Sequence, residues 1–260
     1  MRAAELVPSA LCLLVAPLAI AQAADRAVTL RAPAEVAEGL GAMPRILAPA
    51  ESAEARINKA LDSLDAMAVK GLKGCKAPDG TPGGDSRNVT SPMRGPGFLS
   101  LVIADSAACG GPHPNNGTMA IVYDLTTGAP VDWAKLLPAA LVGKQALREN
   151  WDGVRMVTLS SARLLALFKK AYRRGDGDQA DCLRAIDDEI AGGPPRMSAW
   201  LDAKSEGLAV QFDLPYAVQD CGVPAIIPAA ELKRLGASPR LLKALGAARA
   251  AKSFDDPDAP

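Results

Sequence analysis

The sequence predicts an α+β domain in which a mainly antiparallel sheet carries packed helices and is stapled by disulfides. Three observations lead there. Strand-like runs occur in pairs separated by short turns bearing Gly, Pro or polar residues, which is the pattern of hairpins. Amphipathic stretches of helical spacing lie between those clusters, which is the order of an α+β fold. Once an N-terminal leader is set aside, four cysteines remain, an even number.

The chain has 260 residues, 49% of them hydrophobic, enough to bury one substantial core. Lys plus Arg and Asp plus Glu both number 29, so the net charge is zero and no global field draws nucleic acid or an anionic membrane. No basic stripe interleaved with aromatics is present, which argues against a nucleic-acid partner. At the N-terminus, Arg2, an apolar run from Leu11 to Ile20, and small residues at Ala19, Ala21 and Ala23 read as a secretory signal over residues 1–23. That run is short of the ~20 residues of a membrane span, and no later stretch reads as an anchor. Leu11, directly before Cys12, argues against lipidation. The expected organisation is a signal peptide over 1–23, one α+β domain over 24–250 and a disordered tail over 251–260, in a periplasmic or secreted protein.

The elements follow in order. Short strands are predicted at Ala27 to Leu30 and Arg45 to Leu47. Ser52 is a good N-cap, and Ile57, Ala60, Leu61, Leu64 and Met67 recur at helical spacing, giving an amphipathic helix that stops near Gly71 and Gly74. Residues 71–97 are rich in Gly, Pro and polar residues, with an edge strand at Ser86 to Thr90. A turn near Arg94 to Gly97 leads into a buried strand at Phe98 to Ala104. A turn at Asn115, Asn116 and Gly117 precedes the strand Thr118 to Leu125. Val131, Trp133, Leu136 and Leu137 form an apolar patch in which Trp133 reads as a core or lid residue. Residues 139–157 carry mixed signals and read as helix. Ser160 or Ser161 caps a helix that Gly175 ends, and another runs from about Asp178 to Ala191. Met197 to Leu201 and Leu208 to Leu214 form a hairpin about Lys204 to Gly207, and Val223 to Ile227 is a short strand. Pro228 suits the first turn of the next helix, and Ser238 with Pro239 starts the last one.

The mature cysteines are Cys75, Cys109, Cys182 and Cys221, and in an exported protein they read as two disulfides. A hairpin about Arg94 to Gly97 brings residues near Cys109 beside those in the high seventies. This favours Cys75 with Cys109 and leaves Cys182 with Cys221, while Cys109 with Cys221 is the competing pair. No two cysteines have short ligand spacing, and the single histidine lacks a histidine partner, so neither a metal nor a cofactor is expected.

That histidine, His113, lies between Pro112 and Pro114, which hold it on extended or turn backbone and exclude helical metal motifs. Ser100, Ser106, Asp105 and Asp124 are near in sequence, but no Gly-x-Ser-x-Gly elbow accompanies them, so no catalytic residue is assigned. Gly110 and Gly111 read as a turn needing positive φ. They do not form a phosphate cradle, since no Lys-Ser or Lys-Thr follows. Asp176, Asp178 and Asp181 lack the spacing of a calcium loop.

Several local patterns resemble one family. Pro44-Arg45-Ile46 and Ile57-Asn58 match its opening. Gly110-Gly111-Pro112-His113-Pro114, followed by Tyr123-Asp124-Leu125-Thr126-Thr127-Gly128, matches its most specific segment, with Pro112 where the family usually has alanine. Gly207-Leu208, Phe212, Pro215-Tyr216, Ile227-Pro228 and Glu231-Leu232 match its end. The chain thus resembles the extracellular RsiV-like domain, the lysozyme receptor of RsiV-type anti-sigma factors, found also in PdaC-like peptidoglycan deacetylases. The resemblance implies an exported, non-enzymatic binding module of the bacterial cell envelope. Lysozyme, another envelope protein or peptidoglycan would be its partner, with neither membrane span nor deacetylase domain here. The candidate binding residues are Gly110, Gly111, His113, Asn115, Tyr216 and Asp220. Two other readings compete: an envelope hydrolase using His113, and a structural accessory protein without a ligand.

Overall fold

The computed structural model describes residues 26–31, 34–76, 80, 83–110, 113–149, 155–173 and 178–255; the signal peptide expected over 1–23, Gly111, Trp151, Asp176 and residues 256–260 lie outside them. The first half comprises β1 (Leu30–Arg31), β2 (Glu35–Ala37), β3 (Leu40–Gly41), β4 (Arg45–Ile46), α1 (Ser52–Gly74), β5 (Gly84–Arg94), β6 (Phe98–Ala108), β7 (Asn115–Asp124) and β8 (Ala129–Pro130). The second comprises α2 (Ala139–Val142), β9 (Lys144–Glu149), β10 (Arg155–Ser160), α3 (Ala162–Ala171), α4 (Gln179–Glu189), β11 (Met197–Asp202), β12 (Gly207–Gln211), β13 (Ala225–Pro228), α5 (Ala229–Leu235) and α6 (Pro239–Ala250).

The expected α+β architecture is what forms. One sheet has the order β2-β3-β5-β6-β7-β8, the other β13-β12-β11-β10-β9, and β1 pairs with β4. Every ladder is antiparallel except the single-residue step from β3 to β5. β6 is buried on both faces over Phe98 to Leu101 and alternates beyond, which is why its first half is mostly apolar rather than alternating. Leu99, Leu101 and Ile103, in register with Tyr123, Ile121 and Met119, pack with Ile57, Leu61 and Leu64 of α1. Phe98 and Val122 join Trp133, Leu159, Phe168 and Trp200 in a second, larger core that includes the second sheet. Trp133 is completely buried, as its apolar context predicts.

The two disulfides are Cys75–Cys109 and Cys182–Cys221, the favoured pairing. Such bonds belong to a chain that folds in an oxidising compartment. No described helix is long and apolar enough to cross a membrane.

Helix caps follow the sequence with one shift. Ser161 and Ser238 accept from the N–H groups of Leu164 and Leu241. Ser52, however, is the first helical residue of α1, and Glu54 reaches back to the Ala50 N–H at 2.7 Å instead.

Four expectations are corrected. β5 is an interior strand, paired with β3 and β6; its Pro92 is tolerated because it falls in the register shift between Thr90 and Met93. Asn115, Asn116 and Gly117 continue the β6–β7 ladder opposite Ala107, Ser106 and Asp105 rather than turning. The helix expected over 139–157 lasts only from Ala139 to Val142. Gly143, at φ 56°, ends it, and the chain continues as the β9–β10 hairpin. The mixed signals there come from a strand at the sheet's edge, exposed throughout from Lys144 to Arg148. Finally, residues 251–255 of the expected disordered tail are docked. The Ser91 N–H donates to Asp255, and Arg94 donates to the Phe254 carbonyl while its own N–H bonds the Ser253 carbonyl.

Candidate functional site

The far end of the β6–β7 ladder and the 3-10 segment Tyr216–Cys221 meet to form a built surface. His113, exposed on the bend after Cys109, stacks on Tyr216 with ring centroids 4.4 Å apart and planes 8° from parallel. Tyr216 is 56% exposed, one of the few large hydrophobic side chains left in solvent among the described residues. Beside this pair, Asn116 Nδ2 donates to Gln219 Oε1 at 3.2 Å and Gln219 Nε2 donates back to the Asn116 carbonyl, so strand and 3-10 segment are clasped.

Covalent and polar ties fix both halves. Cys75–Cys109 anchors the loop ahead of His113 to the end of α1, and Gly110 takes φ +86° beside the Lys76 carbonyl. Cys182–Cys221 ties the 3-10 segment to α4; Tyr172 Oη donates to the Cys221 carbonyl, and Gln211 Nε2 to the Gly222 carbonyl.

Carboxylates gather at the same end. Asp105 lies opposite Arg87 and Gly117 in the ladder, on the face that also carries Leu99, Leu101 and Ile103. It is 8% exposed, and its Oδ1, like that of Asp85, is buried without a hydrogen-bond partner. Burial above all, then the neighbouring Asp85 and Asp213, pushes the Asp105 carboxyl up to about 6. Burial also raises Asp85, against Arg87 and the Ser86 N–H, and raises Asp213 against the pull of the Thr118 N–H.

The structure therefore joins His113 to Tyr216, two of the residues singled out in sequence. Asn115 is exposed at the start of β7, Asp220 is exposed in the 3-10 segment, Gly110 is in the turn, and Gly111 lies outside the described residues. Two of the serines and acids near His113 in sequence are engaged elsewhere. Ser100 is fully buried and accepts from the Leu201 N–H, while Asp124 is paired to Arg240. The acids of α4 are partly neutralised, Asp181 by Arg184 and Asp187 by Lys169.

Sequence reading missed the Asn116–Gln219 clasp and the carboxylate cluster. A signal for the latter was present: Asp105 is in phase with the buried stripe Leu99, Leu101 and Ile103, and an acid in that phase must be covered or exceptional. The clasp had no signal, since 103 residues separate its partners.

No protein-family model matches the chain, and no curated protein matches it. Among solved structures, its neighbours are DUF3298 family proteins. A crystal structure of one from Bacteroides fragilis is 14% identical, with 72% of this chain and 68% of that chain covered at a TM-score of 0.45. Another from Pseudomonas aeruginosa is 14% identical, with 74% and 72% covered at a TM-score of 0.39.

Proposed function

We propose that this protein is an exported, non-enzymatic binding module of the bacterial cell envelope whose recognition surface is centred on His113 and Tyr216. The observation that carries this reading is the exposed His113–Tyr216 stack, clamped on both sides by disulfides. Two aromatic rings held rigidly in solvent cost stability unless a partner covers them, and preorganised aromatics are the usual anchors of an interface. Asp85, Asp105 and Asp213 give this end a local acidic character that the zero net charge conceals, which suits a basic protein partner such as lysozyme. His113 and Tyr216 themselves belong to two of the matched motifs, Gly110-Gly111-Pro112-His113-Pro114 and Pro215-Tyr216, in which the sequence resembles the RsiV-like receptor domain. A peptidoglycan fragment is the other envelope component such a surface would take. The leader over 1–23 and the two disulfides support a periplasmic or secreted location.

The test is binding of the purified mature protein to animal lysozymes of several types and to soluble peptidoglycan fragments at low salt. Association that Tyr216→Ala weakens by roughly tenfold or more, with unchanged melting, is expected. Absence of any association, and of any protection against lysozyme, would overturn the proposal. Turnover of peptidoglycan or ester substrates that vanishes in His113→Ala would replace it with a hydrolase.

A further inference from the structure

A second surface, on the other sheet, has the opposite electrical character. One face of β9, β10 and β11 forms a groove of about 750 Å³ lined by Lys144, Arg148 and Arg196, with Asp213 the one acid among the described residues of its wall. None of these three cations forms an ion pair with a described residue. The register explains how they come together. Lys144 pairs with Ser160 and Arg148 with Met156; Leu159 pairs with Met197, which puts Arg196 in the row of Ser160 and Lys144. Lys144 and Arg148 are four residues apart on one strand, about 14 Å at an extended rise, and Arg196 is two strand spacings from Lys144, about 10 Å. Between the charges lie the hydroxyls of Thr158, Ser160 and Ser198. Ser160 Oγ donates to the Pro194 carbonyl at 2.9 Å, which leaves its lone pairs to accept. A neighbouring hollow of about 540 Å³ shares Lys144, Ser160 and Pro194 and adds Arg163, so the basic track continues past the first groove.

We propose that this track binds a linear anionic glycan, one bearing carboxylate, sulfate or phosphate groups along a chain of hydroxylated sugars. Cations spaced by 10 to 14 Å and interleaved with hydroxyls match a polymer that carries both anions and hydroxyl groups. A single small anion would meet one of the charges and leave the others unpaired. Nucleic acid is disfavoured because strand binding uses exposed aromatic faces for stacking, and among the described residues the one aromatic on this wall, Phe212, is 5% exposed. The charges sit within a concavity, where the plane of a bilayer reaches only the rim. The two surfaces share Asp213, but the inference does not rest on the recognition surface above, because the cations that carry it lie on another sheet.

The experiment is calorimetric or anisotropy titration of the full mature protein with heparin hexasaccharide and with hexagalacturonate, at low and at physiological salt. The expected result is binding that weakens with salt, falls roughly tenfold or more in Lys144→Ala/Arg148→Ala, and is unchanged in Tyr216→Ala. Both substituted side chains are exposed on an edge strand, so folding should persist. Lys144→Gln/Arg148→Gln, which retains more of each stem, is the second variant and should show the same loss. No binding of either oligosaccharide, or binding unaffected by both double variants, would overturn the proposal. Equal or tighter binding of a single-stranded oligonucleotide, of oligoglutamate or of phosphatidylglycerol vesicles would also overturn it, in favour of that ligand.

Discussion

Asp105 and Gly117 face one another across the β6–β7 ladder so closely that a methyl group built on Gly117 would lie 2.7 Å from Asp105 Oδ1. The glycine thus leaves room for a carboxylate that has no hydrogen-bond partner at that oxygen. With its pKa raised from 3.8 to about 6, Asp105 binds its proton more tightly in the folded than in the unfolded chain. Its contribution to stability is therefore fully present below about pH 4 and is lost as pH rises through about 6. Asp105→Asn should raise the melting temperature at pH 7.5, corresponding to roughly 1–3 kcal/mol, and should flatten the pH dependence of stability between pH 4 and 6. Thermal melts of both proteins across that range are the check, and equal slopes would refute the assignment.

Asp65 is the hub between α1 and the first sheet. Its Oδ1 accepts from the Met43 N–H at 3.0 Å and from Arg87, and its Oδ2 accepts from Arg45 at 2.7 Å. Arg87 is nearly buried and also donates to the Gly41 carbonyl, so removing the acid strands a desolvated guanidinium. Asp65→Ala should cost about 3 kcal/mol in urea denaturation. Asp65→Asn, which retains an acceptor for the Met43 N–H, should cost less.

Arg240 ties α6 to the end of β7. It forms a two-point ion pair with Asp124 at 2.7 and 2.8 Å, bonds Thr126 Oγ1 at 3.1 Å, and lies over the Phe98 ring at 4.6 Å. Burial alone would raise the Asp124 carboxyl, but Arg240 and the Thr126 N–H hold it below its usual range. Because that pKa is depressed, the stabilisation is present above the ordinary carboxylate range and is lost as pH falls through the folded value. Arg240→Ala should cost roughly 1–2 kcal/mol at neutral pH, with a smaller loss in acid, measured by melts at pH 7 and at pH 3.

What was legible in sequence and what was not divides by the range of the interaction involved. The caps at Ser161 and Ser238, the β5–β6 hairpin and the apolar run of β6 are local or nearly so, and they were readable. The disulfide pairs followed from one hairpin. β9 reads as helix in the sequence because an edge strand has no face whose burial enforces an apolar pattern: Lys144, Ala146 and Arg148 line a polar groove, and Leu147, opposite them, is 59% exposed. The docking of 251–255 depends on Ser91 and Arg94, some 160 residues away, and nothing local announces it. His113 and Tyr216 were each marked by motif, but their stacking is a product of the tertiary fold.

The same long-range logic makes the Cys182–Cys221 bridge more than a stabiliser. It closes a separation of 39 residues, and the 3-10 segment that ends at Cys221 presents Tyr216. Replacing both cysteines by serine should lower stability by roughly 2–4 kcal/mol. It should also free Tyr216 from one of the anchors that hold it against His113, leaving the Gln219 clasp and the Tyr172 bond to the Cys221 carbonyl to position it. Partner binding should therefore weaken further than melting accounts for, even at a temperature where the variant is folded. Tyr172→Phe separates the two effects, because it deletes one hydrogen bond to that segment and keeps the covalent tie. If binding through Tyr216 is unchanged in the folded Cys182→Ser/Cys221→Ser protein, the bridge serves stability alone and the platform is held by the Asn116–Gln219 clasp.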